Sequence, residues 1–226
     1  MCGRYTLSDT GDLLTELQAE GGIDAAELAP RYNIAPTQNA AVVRAQPEGE
    51  GRELAMLRWG LVPFWAKELS IGNRMINARS ETAAEKASFK HAIKKRRCAV
   101  LADGFYEWRK LEGGKQPYHI HLETKQPFVM AGLWERWSRG PDGPVETFTI
   151  LTTDANDTVR PLHDRMPVIL PPDTWDLWLD PTVQDPEAVQ PLMVPAPDDV
   201  IAFHPVSREV NSPRNDVASC IEPLQL

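Results

Sequence analysis

Met1-Cys2-Gly3-Arg4 puts a cysteine where excision of the initiator methionine would make it the N-terminal residue. A small second side chain favours that excision, and the product carries an α-amine and a thiol on adjacent carbons. Such a 1,2-aminothiol condenses with an aldehyde through its amine and then closes a five-membered thiazolidine through its sulfur, which no internal cysteine can do. Ordinary values of about 8.5 for a thiol and about 7.7 to 8.0 for an α-amine leave usable fractions of both nucleophiles near neutrality. Gly3 permits close approach of another group, and Arg4 brings a fixed positive charge to hold a phosphate or lower the thiol pKa. Any chain can carry cysteine second, so the tetrapeptide gains meaning only from the groups brought to it.

Three such groups stand out further along. In Asp103-Gly104-Phe105-Tyr106-Glu107-Trp108 strand alternation sends Phe105, Glu107 and Arg109 to one face and Tyr106 and Trp108 to the other, placing a carboxylate among aromatics on a sheet. His163 sits at a loop-to-strand junction, a usual position for a working residue. Asn77 lies just before a helix expected to start at Ser80 and run towards Lys95. Trp65 follows Pro63 out of a strand and is expected at the surface, where an indole can stack on a base. His119 and His121 share a strand face as two metal ligands might, but no third ligand is evident and no Cys-x-x-Cys spacing occurs, so neither metal nor cofactor is expected.

Positioning these groups requires a sheet system. Twenty prolines and fourteen glycines break the 226 residues into short apolar runs, which predicts one α+β domain over 1–226. A first strand is expected over Arg4–Leu7, then a short helix through Leu13, Leu14 and Leu17 that Gly21-Gly22 ends. A hairpin-like pair, Ala40–Arg44 and Glu53–Trp59, precedes strands at Arg97–Ala102, Asp103–Trp108, Pro117–Leu122, Phe128–Trp137, Thr147–Thr153, Val168–Leu170 and Ile201–Ser207. Short links favour antiparallel pairing. The expected architecture is a mainly antiparallel, partly barrel-like sheet with peripheral helices and a cleft at the N-terminus.

Three cysteines, Cys2, Cys98 and Cys220, cannot all pair, which points to a reducing compartment. No apolar run reaches the length of a membrane span. The net charge of -8 argues against nucleic acid until it is divided along the chain. Residues 171–200 hold seven acids and no lysine or arginine, whereas 51–110 hold thirteen bases against six acids. A basic face on an acidic protein is therefore available for a phosphate backbone.

In order behind Met1-Cys2-Gly3-Arg4 come Asn33-Ile34-Ala35-Pro36, Ile76-Asn77-Ala78-Arg79-Ser80-Glu81-Thr82, the Asp103–Trp108 motif, His163-Asp164-Arg165-Met166-Pro167 and His204-Pro205-Val206-Ser207. From Cys2 to about Asn215 the chain resembles the SOS-response-associated peptidase (SRAP) family, whose members bind abasic sites in DNA. The resemblance implies that Cys2 crosslinks to the ring-opened sugar aldehyde, Glu107 relays protons, Asn77 orients sugar and N-terminus, and His163 assists proton transfer and crosslink reversal. It further implies phosphate contacts by Arg4 and Arg79, and a single-stranded DNA path lined by Pro36, Trp65 and Thr152. A longer insertion at Ala66–Arg74 replaces a compact second aromatic found after Trp65 in some members.

The implied partner is single-stranded DNA carrying abasic sites. The protein would be a bacterial-type monomer in the cytoplasm, at the nucleoid when bound, with no membrane association and with possible lyase and self-processing peptidase activity. Two other classes remain open: an N-terminal-nucleophile thiol peptidase or amidohydrolase, and a non-covalent single-strand binder for which Cys2 would be dispensable.

Overall fold

The computed structural model describes residues 2–224. Its strands are β1 (Tyr5–Leu7), β2 (Ala19–Gly22), β3 (Arg31–Ile34), β4 (Asn39–Ala45), β5 (Arg52–Trp59), β6 (Asn77–Arg79), β7 (Arg97–Ala102), β8 (Gly104–Leu111), β9 (Gly114–Leu122), β10 (Phe128–Trp137), β11 (Val145–Asp154), β12 (Arg165–Pro167), β13 (Ile169–Leu170) and β14 (Ile201–Pro205). Four short helices, α1 (Leu13–Glu16), α2 (Ala92–Lys95), α3 (Trp175–Leu179) and α4 (Pro186–Val189), lie among them. No helix among the described residues is long and apolar enough to cross a membrane.

The strands form two sheets. One has the order β14-β9-β8-β1-β3, the other β12-β11-β10-β7-β4-β5-β2. A parallel pairing of β11 with β5, Thr147 opposite Arg58 and Phe148 opposite Trp59, closes β5-β4-β7-β10-β11 into a ring. Closure explains the composition of β7 and β10. Both are buried along almost their whole length, so they read as continuous apolar runs rather than alternating ones. One apolar core joins the sheets, with Tyr5, Ile34 and Phe105 from the smaller and Val42, Leu57, Val100 and Ile150 from the larger. The expected antiparallel, partly barrel-like architecture is what forms, with parallel pairs among the described residues only where β11 meets β5 and β6 and where β2 meets β5.

Two local expectations are corrected. The helix expected from Ser80 to Lys95 is regular only over Ala92–Lys95, and residues 80–91 run through turns. Tertiary partners outweigh local helical pattern there: Ser80 N–H donates to the Thr152 carbonyl (2.9 Å), and the Glu81 carboxylate accepts from Arg165. Gly21-Gly22, expected to stop a helix, instead forms strand β2 against β5. Gly22 has φ +93°, and a Cβ there would lie 2.0 Å from the Leu54 carbonyl oxygen, so only glycine allows this approach.

Candidate functional site

The chain's second residue is placed by the strand that follows it. Tyr5 stacks edge-on against Trp59 (5.1 Å between centroids), and Trp59 stacks in turn on Phe148. All three are fully buried, so aromatic packing anchors β1 to the closed ring. On its other side β1 pairs with β8, Tyr5 opposite Phe105 and Thr6 opposite Gly104. Tyr106 N–H donates to the Arg4 carbonyl (3.0 Å) and continues that register towards the N-terminus. Cys2 and Glu107 are thereby brought together.

Cys2 is completely buried. Asn77 Nδ2 donates to its carbonyl oxygen at 2.7 Å, while Asn77 Oδ1 is buried without a hydrogen-bond partner among the described residues. β6 runs parallel beside β11, with Asn77 opposite Ile150, and the pairing fixes the amide. Burial, reinforced by the Glu107 charge, pushes the Cys2 thiol up to about 12. The expectation that Arg4 lowers this pKa is therefore corrected: desolvation dominates, and the thiol rests protonated. Arg4 instead donates through Nη1 to Asn33 Oδ1 (2.7 Å) and the Val210 carbonyl (2.9 Å). Asn33, also buried, donates to the carbonyls of Val210, Ser212 and Asn215. The Asn33 motif thus clamps the C-terminal loop behind the N-terminus.

Glu107 is 4% exposed. Burial pushes its carboxyl above the usual range. Glu107 and His163 line one groove of about 670 Å³ together with Trp108, Arg109, Lys110, Lys115, Pro161 and Leu162. His163 Nδ1 accepts the Arg165 backbone N–H at 2.9 Å. Arg165 grips Glu81 with both terminal nitrogens (2.7 and 2.9 Å), and it also binds Asp154 (2.6 Å) and the Thr152 carbonyl (2.7 Å). The histidine motif and the Asn77–Glu81 motif, more than eighty residues apart, are locked together by this guanidinium.

The expected nucleic-acid contacts divide. Arg79 is exposed two residues beyond Asn77, Pro36 is half-buried, and Trp65 is 44% exposed beside Phe64 at 50%. Phe64 supplies an exposed aromatic just before Trp65, and the Ala66–Arg74 stretch, largely exposed, contains a 3₁₀ segment at Leu69–Arg74. Thr152 departs from expectation: it is fully buried, its hydroxyl faces the Ala78 carbonyl (3.5 Å), and its side chain belongs to the wall between β6 and β11. Sequence reasoning missed the cationic rim of Arg109, Lys110 and Lys115. Basic residues on both sides of the Gly113-Gly114 hairpin tip were the available signal, because Lys110 lies directly opposite Lys115.

The family described as SOS response associated peptidase (SRAP) matches residues 1–213. The chain belongs to the SRAP family. Among its relatives, the abasic site processing protein YoqW of Bacillus subtilis (strain 168) is 41% identical over 224 residues, covering 98% of this chain and 99% of that protein. The abasic site processing protein HMCES of Gallus gallus is 38% identical, covering 87% of this chain and 67% of its own length. A crystal structure of a protein from Bacteroides thetaiotaomicron superposes with a TM-score of 0.87 at 25% identity, covering 99% of this chain and all of that one. A phage-related protein of Bordetella bronchiseptica gives a TM-score of 0.71 at 30% identity, covering 92% of this chain and 95% of that one. The SRAP match therefore spans Cys2 and the strands that carry Asn77 and Glu107.

Proposed function

We propose that this SRAP protein captures abasic sites in single-stranded DNA by forming a thiazolidine between Cys2, freed by removal of Met1, and the ring-opened sugar aldehyde. The carrying observation is the hold on the second residue: Asn77 binds its carbonyl, and a buried carboxylate perturbs its thiol. The relatives' names, abasic site processing proteins, supply the substrate class.

The buried groups suggest an order of steps. An abasic sugar is mostly a closed hemiacetal, so ring opening must move a proton from the anomeric hydroxyl to the ring oxygen. Glu107, with its raised pKa, is suited to give one proton and take the other. The Cys2 amine then adds to the aldehyde carbon, water leaves, and a C=N bond forms. The unpartnered Asn77 Oδ1 offers an acceptor that would orient this amine. Because the thiol rests protonated, sulfur attacks last: the S–C bond forms as the thiol proton passes through Glu107 to the imine nitrogen. His163, across the groove, would steady charge on the sugar and its phosphate. Arg79 and the Arg109, Lys110 and Lys115 rim would hold the backbone without reading sequence, with Trp65 as a stacking platform.

Intact mass tests this directly. The purified protein should start at a mass lacking Met1 and, on incubation with single-stranded DNA bearing one abasic site, gain the DNA mass less one water. Cys2→Ala should give no adduct, and Cys2→Ser no stable one, though slower amine-mediated strand cleavage is expected to persist. Protein with a free Cys2 that forms no adduct would remove the proposal. A second reading, hydrolysis of peptides or glutamine by the same aminothiol, is favoured by the family's own description. Turnover of such substrates without a DNA adduct would establish it instead.

A further inference from the structure

The pair His119 and His121, which in sequence lacks a third partner, acquires one from the fold. β14 lies antiparallel beside β9 with His204 opposite His119, so the three imidazoles share one face of the smaller sheet. One ring nitrogen from each lies within 4.8 Å of the other two. The cluster stands apart from the candidate catalytic groups: on β8 it is Tyr106 that faces His119, and strand alternation turns the neighbouring Glu107 to the opposite side.

The hydrogen bonds of the three rings settle which nitrogens carry protons. His121 Nδ1 lies 2.7 Å from the Leu122 carbonyl and His204 Nε2 lies 2.8 Å from the Ile221 carbonyl. A carbonyl only accepts, so both of these nitrogens are N–H donors. Their other nitrogens, His121 Nε2 and His204 Nδ1, then face each other at 3.3 Å as bare lone pairs. Thr6 Oγ1 donates its proton to Asp103 Oδ1, so it accepts from His119 Nε2 at 3.2 Å. His119 Nδ1 is left as a lone pair, in a side chain 5% exposed, with no hydrogen-bond partner among the described residues. The site is also shaped for this ring: a Cβ at Gly104 would lie 2.1 Å from His119 Nε2.

The facing lone pairs of His121 Nε2 and His204 Nδ1 repel unless a cation stands between them. We propose that His119, His121 and His204 form a binding site for a divalent transition-metal ion, zinc foremost, that bridges strands β9 and β14 of the five-stranded sheet. Imidazole suits zinc, copper and nickel rather than magnesium or calcium. Two nitrogens on a tetrahedral ion with Zn–N bonds of about 2.0 to 2.1 Å stand about 3.3 to 3.4 Å apart, matching the His121–His204 separation. Each ring's outer N–H is held by an oxygen, with Asp103 behind Thr6, which is how metal-bound imidazoles are oriented. His121 and His204 are only half-buried, so an ion can enter.

Chelator-treated full-length protein, titrated with Zn²⁺ and separately with Co²⁺ as a spectroscopic probe, should bind one equivalent. The Co²⁺ spectrum should show tetrahedral d–d bands without thiolate charge transfer. His121→Gln and His204→Gln should each abolish stoichiometric binding, and Thr6→Val, which removes only the link behind His119, should weaken it about 10- to 100-fold. All three variants should keep the wild-type circular dichroism and DNA adduct yield. Metal binding unchanged in both histidine variants, thiolate charge transfer in the Co²⁺ spectrum, or no stoichiometric binding by wild type would each overturn the site. In the last case, imidazole ¹⁵N spectra showing a proton shared between His121 and His204 would account for their approach without a metal.

Discussion

Glu107 shows how the proposed proton relay works against stability. Its folded-state pKa is raised, chiefly by burial. Between the ordinary carboxylate value and that higher one, the folded protein keeps a proton the unfolded chain has released. Stability is therefore lost as pH rises through that window. Glu107→Gln removes the titration, so the variant should melt above wild type at pH 7, by about 2 to 4 °C per kcal/mol regained for a chain of this size. The advantage should vanish below the ordinary Glu value of about 4.3. Crosslinking by the same variant should slow by about 10²- to 10⁴-fold, the usual span of proton-transfer catalysis, with DNA affinity retained. A variant that melts like wild type at both pH values, or that links DNA at the normal rate, would take the buried-relay role away from Glu107. Asn77→Ala should slow linkage too, since it frees the Cys2 carbonyl; an unchanged single-turnover rate would show that the amide does not position the nucleophile.

Among the elements, the Arg165 junction makes the site cooperative. Arg165 belongs to β12, yet it reaches Glu81 beyond β6 and the Thr152 carbonyl on β11. Its own backbone N–H holds the His163 ring. Glu81 and Asp154 have side chains 46% and 79% exposed, so solvent screens much of their charge attraction. Arg165→Met should cost on the order of 0.5 to 1.5 kcal/mol, the net value of the lost buried hydrogen bond to the Thr152 carbonyl, which keeps its bond from Ser80 N–H. Urea unfolding would read this as a lower midpoint at constant slope. Linkage should slow in the same variant because the histidine loop loses its anchor. Loss of stability with full linkage rate would confine Arg165 to a structural part.

For the molecule as a whole, a net charge of -8 and a DNA partner are compatible because the charges are segregated. Acids crowd the helical 171–200 region, while the groove rim carries Arg109, Lys110 and Lys115. Affinity for single-stranded DNA should fall steeply with salt, with a log–log slope of about -0.7 per phosphate contact. Replacing the three rim residues by glutamine should weaken every DNA sequence alike and flatten that slope. An unchanged slope would move the backbone path off this rim.

Much of this was legible in the chain before folding. The aminothiol is a matter of covalent order. The strands at Phe128–Trp137, Arg97–Ala102, Ala40–Arg44 and Glu53–Trp59 announce themselves by apolar period and turn residues, because local side-chain patterning decides which backbone faces can be buried. The ordered motifs carried family and fold. Other features depended on contacts between distant residues. Helical pattern after Ser80 gave way to partners on β11 and β12. Thr152 looked available to DNA until a parallel strand covered it. The Cys2 thiol near ordinary pKa became a buried one near 12, since desolvation depends on what surrounds a group and not on its neighbours in sequence. His204 joined His119 and His121 only through the pairing of β14 with β9. Sequence by itself determined which chemical groups exist and which segments become strands, for those follow from bonds and short-range periodicity. Tertiary structure alone decided which groups meet, which protons they keep and which lone pairs converge, because burial and through-space distance exist only once the chain has closed on itself.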